Sequence, residues 1–146
     1  MPEVERTALV MYSAEQMYQL VNDVRRYPEF LPGCIGTDII SESDSAMEAQ
    51  LTLKKGPISQ QFSTRNDLLL NESIDMELCN GPFDYLEGGW KFLALSDQAC
   101  KIIFRLNFKF SNSLVGAAFG NYFSELTLTM VDAFAKRADQ IYGVKS

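Results

Sequence analysis

The chain contains no histidine. That removes the commonest general base and the commonest metal ligand. A Ser–His or Cys–His triad is excluded, and so is a zinc site that needs imidazole. Acid–base work would fall to Asp, Glu, Tyr or Lys. Asp75 and Glu77 lie two residues apart, which puts both on one side of a strand. Ile74, Met76 and Leu78 alternate with them, so the carboxylates are expected to face water and to solubilise the sheet. They make no acid–base pair in a cavity. Cys34, Cys79 and Cys100 form no close pair, and an odd number of scattered thiols is expected to be buried or idle. The expectation is no catalytic residue, no metal site, no required cofactor and no enzyme activity.

Binding chemistry is better represented. Two stretches set aromatic and apolar side chains beside Gly and Pro, where a chain usually turns and shows polar residues. One is Tyr27-Pro28-Glu29-Phe30-Leu31-Pro32-Gly33-Cys34. The other is Gly81-Pro82-Phe83, followed by Gly88-Gly89-Trp90-Lys91-Phe92. Apolar turns of this kind suggest walls around something hydrophobic.

The elements that must position these residues follow from periodicity. Residues 3–11 read as a first strand. Ser13 is an N-cap with Gln16 completing a capping box, and Met17, Leu20, Val21 and Val24 follow at helical spacing, which predicts a helix over 14–24. Pro28 and Pro32 prevent its simple continuation, and Phe30 and Leu31 fall on a turn or a second small helix. From Ile35 the period changes to two. Met47, Ala49, Leu51 and Leu53 alternate with polar residues, and Lys55-Gly56-Pro57 makes a turn. Ile58, Phe62 and Leu68 bracket the next strand. Ile74, Met76 and Leu78 mark another, residues 86–95 surround Trp90, and Cys100, Ile102, Phe104, Leu106 and Phe108 alternate in the last. Such alternation marks antiparallel strands with one buried and one wet face.

A long helix should start near Ser111-Asn112-Ser113. Val115, Phe119, Tyr122, Phe123, Leu126, Met130, Phe134, Ala138 and Ile141 recur along it at helical spacing, with Gly143 as its stop. Roughly 28 residues at about 1.5 Å each span some 42 Å, enough to cross a whole sheet. The expected fold is α+β: about seven antiparallel strands curved around a long final helix, with two short helices after strand 1. The 146 residues fit one domain over 1–146. The longest apolar runs are a few residues, so no transmembrane segment is expected. The acidic N-terminus lacks a secretory apolar core, which points to the cytoplasm.

With both apolar stretches and this order of elements, the chain resembles the START-like, helix-grip (SRPBCC) superfamily, in its polyketide-cyclase and coenzyme-Q-binding branch. The resemblance covers nearly the whole length. It rests on Arg6-Thr7-Ala8-Leu9-Val10, Ser13 with Gln16-Met17-Tyr18, and Leu20-Val21-Asn22-Asp23-Val24. It continues through Tyr27 to Cys34, Phe62-Ser63-Thr64-Arg65-Asn66, Gly81-Pro82-Phe83 and Gly88 to Phe92. The resemblance implies two activities. Some members bind coenzyme Q (ubiquinone) or other polyprenyl lipids in the cavity beneath the helix. Others bind the large ribosomal subunit and block subunit association. The label oligoketide cyclase also travels with the family.

Each candidate residue has a plainer reading beside the functional one. The turn of Phe30, Leu31 and Pro32 is either a pocket rim or a plug that closes the core. Pro82, Phe83 and Trp90 either wall a ligand site or pack the sheet; the Trp90 indole N–H would suit a ligand carbonyl such as a quinone oxygen. Phe119, Phe123, Met130 and Phe134 form either core or cavity lining on the inner helix face. Tyr27 and Phe62 complete the candidate lining. Gly116 and Gly120 allow either close contact with the sheet or open space beside it. Arg65, sharing its face with Ser59, Gln61, Ser63 and Asp67, is either on a solvated face or a polar anchor near the pocket mouth.

Lys101, Arg105 and Lys109, with Lys91 on a neighbouring strand, form a basic stripe that is either solvated or faces ribosomal RNA phosphates. Thirteen basic against nineteen acidic residues leave a net charge of −6. That disfavours DNA as a partner and fits a basic ribosomal protein better than a long RNA track.

Overall fold

The structure, a computed structural model, describes residues 3–143. Strand β1 spans Glu3–Val10 and helix α1 spans Ala14–Asn22. The capping box forms as expected: the Gln16 N–H donates to Ser13 Oγ (3.0 Å) and the Ser13 N–H to Gln16 Oε1 (2.9 Å). The helix stops two residues before the predicted end. Asp23 leaves helical geometry, and the chain tightens into a 3-10 helix, Val24–Glu29, that holds Pro28 inside it.

Six strands follow as an unbroken series of hairpins: β2 (Cys34–Glu42), β3 (Ala46–Lys55), β4 (Ile58–Leu69), β5 (Ser73–Asn80), β6 (Phe83–Ser96) and β7 (Ala99–Phe110). The order across the antiparallel sheet is β1-β7-β6-β5-β4-β3-β2. The first strand therefore returns to pair with the last, leaving β1 and β2 at the edges. The Gly88-Gly89 pair sits where β6 runs closest to both neighbours. A Cβ on Gly88 would lie 2.0 Å from the Arg105 carbonyl oxygen, and one on Gly89 2.3 Å from that of Ile74. Only glycine fits, as at a sharp bend in a sheet.

Helix α2, Ser113–Tyr142, lies in the concave face. Asn112 caps it, accepting from the Leu114 N–H at 2.7 Å. The backbone of α2 comes nearest to β1, β7 and α1, so the β3–β5 side of the sheet stands away from it. Of the inward positions read from helical spacing, Ile141 is exposed, while Thr127 and Val131 are buried instead. The stripe drifts because 3.6 residues per turn rotates it along thirty residues. Gly116 and Gly120 lie beside Phe110 with room for a methyl: a Cβ on either would make an ordinary contact, 3.6 Å from the Phe110 ring or its Cβ.

Candidate functional site

The aromatic stripe of α2 does three different jobs along its length. At its N-terminal part, Phe119 is buried against Tyr122 (ring centroids 5.1 Å) and Phe110 (6.4 Å). In its C-terminal half, Phe134 is fully buried and meets Phe30, Trp90 and Tyr27 edge-on at 5.1, 5.2 and 5.3 Å. Those two clusters close the ends. Between them Phe123, Leu126, Thr127 and Met130 face an apolar cavity of about 70 Å³. Ala49, Leu51 and Leu53 of β3 form its far wall with Phe62, Thr64 and Asn66 of β4 and Met76 of β5. Leu86 and Trp90 of β6, and Phe104 and Leu106 of β7, form the near wall. Val24, Tyr27 and Leu31 close one end. Leu51, Phe62, Met76 and Met130 are the half-buried members of the lining, which puts the thin side of the cavity on them.

Six of the twelve sequence-expected lining residues meet at this cavity: Tyr27, Leu31, Phe62, Trp90, Phe123 and Met130. The other six do not. Phe30 packs outside it, with the Arg137 guanidinium 5.1 Å above its ring. Pro32 uses its carbonyl oxygen to accept from the Tyr122 hydroxyl at 2.8 Å. Pro82 accepts the Ser111 N–H at the sheet end (3.0 Å), and Phe83 stacks on Phe110 at 4.8 Å. Phe119 and Phe134 are the solid clusters just described. Around the four phenylalanines ring-on-ring packing fills the space, leaving the void only under the middle of α2.

The first apolar stretch thus works as both plug and wall. Leu31 and Tyr27 turn inward, while Phe30 and Pro32 clamp the turn to α2. Gly33 makes the clamp possible. Its φ is +82°, and a Cβ there would lie 1.8 Å from the Tyr122 hydroxyl oxygen. The Tyr27 hydroxyl donates to the Val21 carbonyl, and burial pushes its phenol far above the ordinary range.

Of the two readings of Arg65, the solvated face is the one the structure shows. Arg65 points outward and pairs with Asp67 at 3.3 Å. Asn66 points inward and is buried with Thr64, whose Oγ1 donates to Asn66 Oδ1 at 2.8 Å. Parity along β4 could have found them, because Thr64 and Asn66 lie two and four residues beyond Phe62, itself a candidate lining residue. Thr127 on α2, also buried, donates to the Ser124 carbonyl at 2.9 Å.

Lys101, Arg105 and Lys109 do share the outer face of β7, with Lys91 opposite Ile103 on β6. The stripe is interrupted by carboxylates. Arg105 pairs with Glu87 (3.9 Å) and Lys109 with Asp84 (3.6 Å), and Glu5 of β1 is in register with Arg105. Burial pushes the Cys34 and Cys100 thiols up, away from reactive thiolate character. Among the described residues, no group of three or more Cys, Asp or Glu side chains is placed to hold a metal ion. No helix among them is long and apolar enough to cross a membrane.

Comparison with known proteins agrees with this architecture. Ribosome association toxin RatA of Escherichia coli K12 is 53% identical over 145 residues, covering 99% of this chain and 92% of that protein. The Xenopus laevis mitochondrial coenzyme Q-binding protein COQ10 homolog B is 28% identical over 145 residues, covering 97% of this chain and 59% of that one. The crystal structure of TTHA0849 from Thermus thermophilus superimposes with a TM-score of 0.80 at 14% identity, covering 97% and 99% of the two chains. The model for polyketide cyclase / dehydrase and lipid transport proteins matches residues 10–135. The curved seven-stranded sheet, the long helix it grips and that match together establish that the chain belongs to this START-like family.

Proposed function

We propose that the protein binds coenzyme Q or another polyprenyl lipid in the space beneath α2 and does no chemistry on it. The observation that carries this is the apolar void between two close-packed aromatic clusters. Interiors normally fill such space, and here the helix and the β3–β5 wall stay apart. The name of the Xenopus relative supplies the ligand class. Catalysis has no support in the lining, whose side chains are apolar, hydroxyl or amide.

Size decides how the ligand enters. About 70 Å³ is well below the roughly 300 Å³ at which small-molecule pockets begin. A quinone ring must therefore push the walls apart. Met76 and Met130 are unbranched and adaptable, and with Leu51 and Phe62 they form the side able to yield. The ends of α2 are tied down by Tyr122 to the Pro32 carbonyl, Arg137 to Glu29 and Tyr142 to the Gln16 carbonyl. Opening therefore belongs to its middle. Native mass spectrometry of protein purified from quinone-containing cells should show a one-to-one adduct of prenyl-lipid mass. No adduct, either as purified or after incubation with ubiquinone, would refute the reading.

A second reading uses the outer surface: association with the large ribosomal subunit so that the two subunits stay apart. The 53% identity to the E. coli toxin, across nearly both chains, favours it. Such a partner would place the protein in the cytoplasm. The carboxylates threaded through the basic stripe fit a ribosomal protein better than bare RNA. Sucrose gradients after overexpression should show fewer joined ribosomes and the protein in the large-subunit peak. Unchanged profiles without the protein in that peak would exclude it. The cavity and the surface are separate, so the two readings are compatible.

A further inference from the structure

We infer that Asn66, oriented by Thr64, is the head-group recognition point of the cavity, selecting a neutral head with a carbonyl acceptor, a quinone or ketone, over an ionised lipid. The inference rests on the reading that the space beneath α2 holds a ligand. Five lining residues carry polar side-chain hydrogens: Tyr27, Thr64, Asn66 and Thr127 on hydroxyl or amide groups, and Trp90, whose indole N–H belongs to the near wall on β6. Three of them commit their hydroxyl hydrogen to the protein. Tyr27 donates to the Val21 carbonyl, Thr127 to the Ser124 carbonyl (2.9 Å) and Thr64 to Asn66 Oδ1 (2.8 Å). The Thr64 bond occupies the acceptor end of the Asn66 amide and turns its NH2 end into the donor that a ligand meets.

The surroundings sharpen the choice. Among the described lining residues none carries a charge, and Arg65 is directed out of the sheet. An entering carboxylate or phosphate would be buried without a counter-charge, which is prohibitively unfavourable. A carbonyl oxygen needs only a donor. An apolar wall with a few fixed polar groups is also how small-molecule sites set orientation. The head therefore lies against β4 between Asn66 and Thr127, and the tail runs toward the half-buried side formed by Leu51, Phe62 and Met130.

The test is isothermal titration of the full chain with three probes sharing one tail: decylubiquinone, decylbenzene and decanoate. The wild type should bind decylubiquinone about tenfold more tightly than decylbenzene, the worth of one hydrogen bond to a buried acceptor, with decanoate weakest. Asn66→Leu should abolish that preference, so that decylubiquinone and decylbenzene bind the variant with equal affinity. Because Asn66→Leu strands the Thr64 hydroxyl, the double variant Thr64→Val/Asn66→Leu removes both polar groups together and should behave alike. Equal wild-type affinity for decylubiquinone and decylbenzene would overturn the recognition role and leave the cavity reading standing. So would a preference that persists in the folded double variant, or tighter binding of decanoate. Failure of all three probes to bind would overturn both.

Discussion

Phe123→Ala probes the void from its helix side. Phe123 is buried, touches Phe108, Phe83 and Phe110 with centroids 4.8, 5.3 and 5.7 Å away, and borders the cavity. Truncating a buried Phe costs about 3–5 kcal/mol, with the larger values where the site cannot collapse. The existing void already shows that this region does not collapse, so a cost of about 4 kcal/mol is expected. For a domain of this size that lowers Tm by about 10–15 °C. An apolar ligand at about one hundred times its Kd would return about 2.7 kcal/mol. Thermal unfolding followed by circular dichroism, with and without decylbenzene, reads both effects. Met17→Ala, at a fully buried position on α1 away from the lining, is the control for lost packing alone. Phe123→Ala should gain more from the ligand than either wild type or Met17→Ala. A Tm within about 2 °C of wild type would refute the packing. An equal ligand response in both variants would refute the idea that Phe123 borders ligand-accessible space.

Three further outcomes follow from particular contacts. Ser13→Ala removes half of the capping box and should cost about 1 kcal/mol in a urea melt; no change would mean that α1 is held by packing alone. Gly33→Ala forces a left-handed residue and a collision with Tyr122, so it should destabilise by more than about 1 kcal/mol, with partial rescue by Tyr122→Ala; neutrality would contradict the clamp. Burial raises the Tyr27 phenol above its ordinary 10.0, so the folded chain keeps it neutral after the unfolded chain ionises. Its contribution is complete below about pH 10 and is lost as pH rises beyond that, so stability should fall on the alkaline side. Burial pushes Tyr18, Tyr122 and Tyr142 the same way. Tyr27→Phe, though less stable for want of its Val21 bond, should show a shallower alkaline decline in urea midpoint; an unchanged slope would contradict the burial of that hydroxyl.

The elements were legible because each rests on a local signal. The Ser13–Gln16 box, the alternation from Met47 to Leu53 and the stop at Gly143 all act within a few residues. The cavity lining was half legible because it depends on where the curved sheet leaves α2. Phe119, Phe123 and Phe134 share one helical stripe, yet only Phe123 meets space, since Phe110 fills the room beside Phe119 and Trp90 that beside Phe134. For Arg65 the solvated-face reading agrees with the structure, and parity with Phe62 assigns the inward face to its neighbour Asn66. A register shift between Ser63 and Thr64 adds an irregularity, burying both residues although they are adjacent. Such a bulge depends on the partner strand and leaves no local mark.

The most direct test of a ligand site beneath α2 uses the only tryptophan of the chain, Trp90, which stands in the cavity wall. Titration of the delipidated protein with decylubiquinone should quench its fluorescence in a saturable one-to-one curve, and the quinone should stay with the protein through gel filtration. A linear, non-saturating quench like that of free tryptophan, with no quinone retained, would contradict the account.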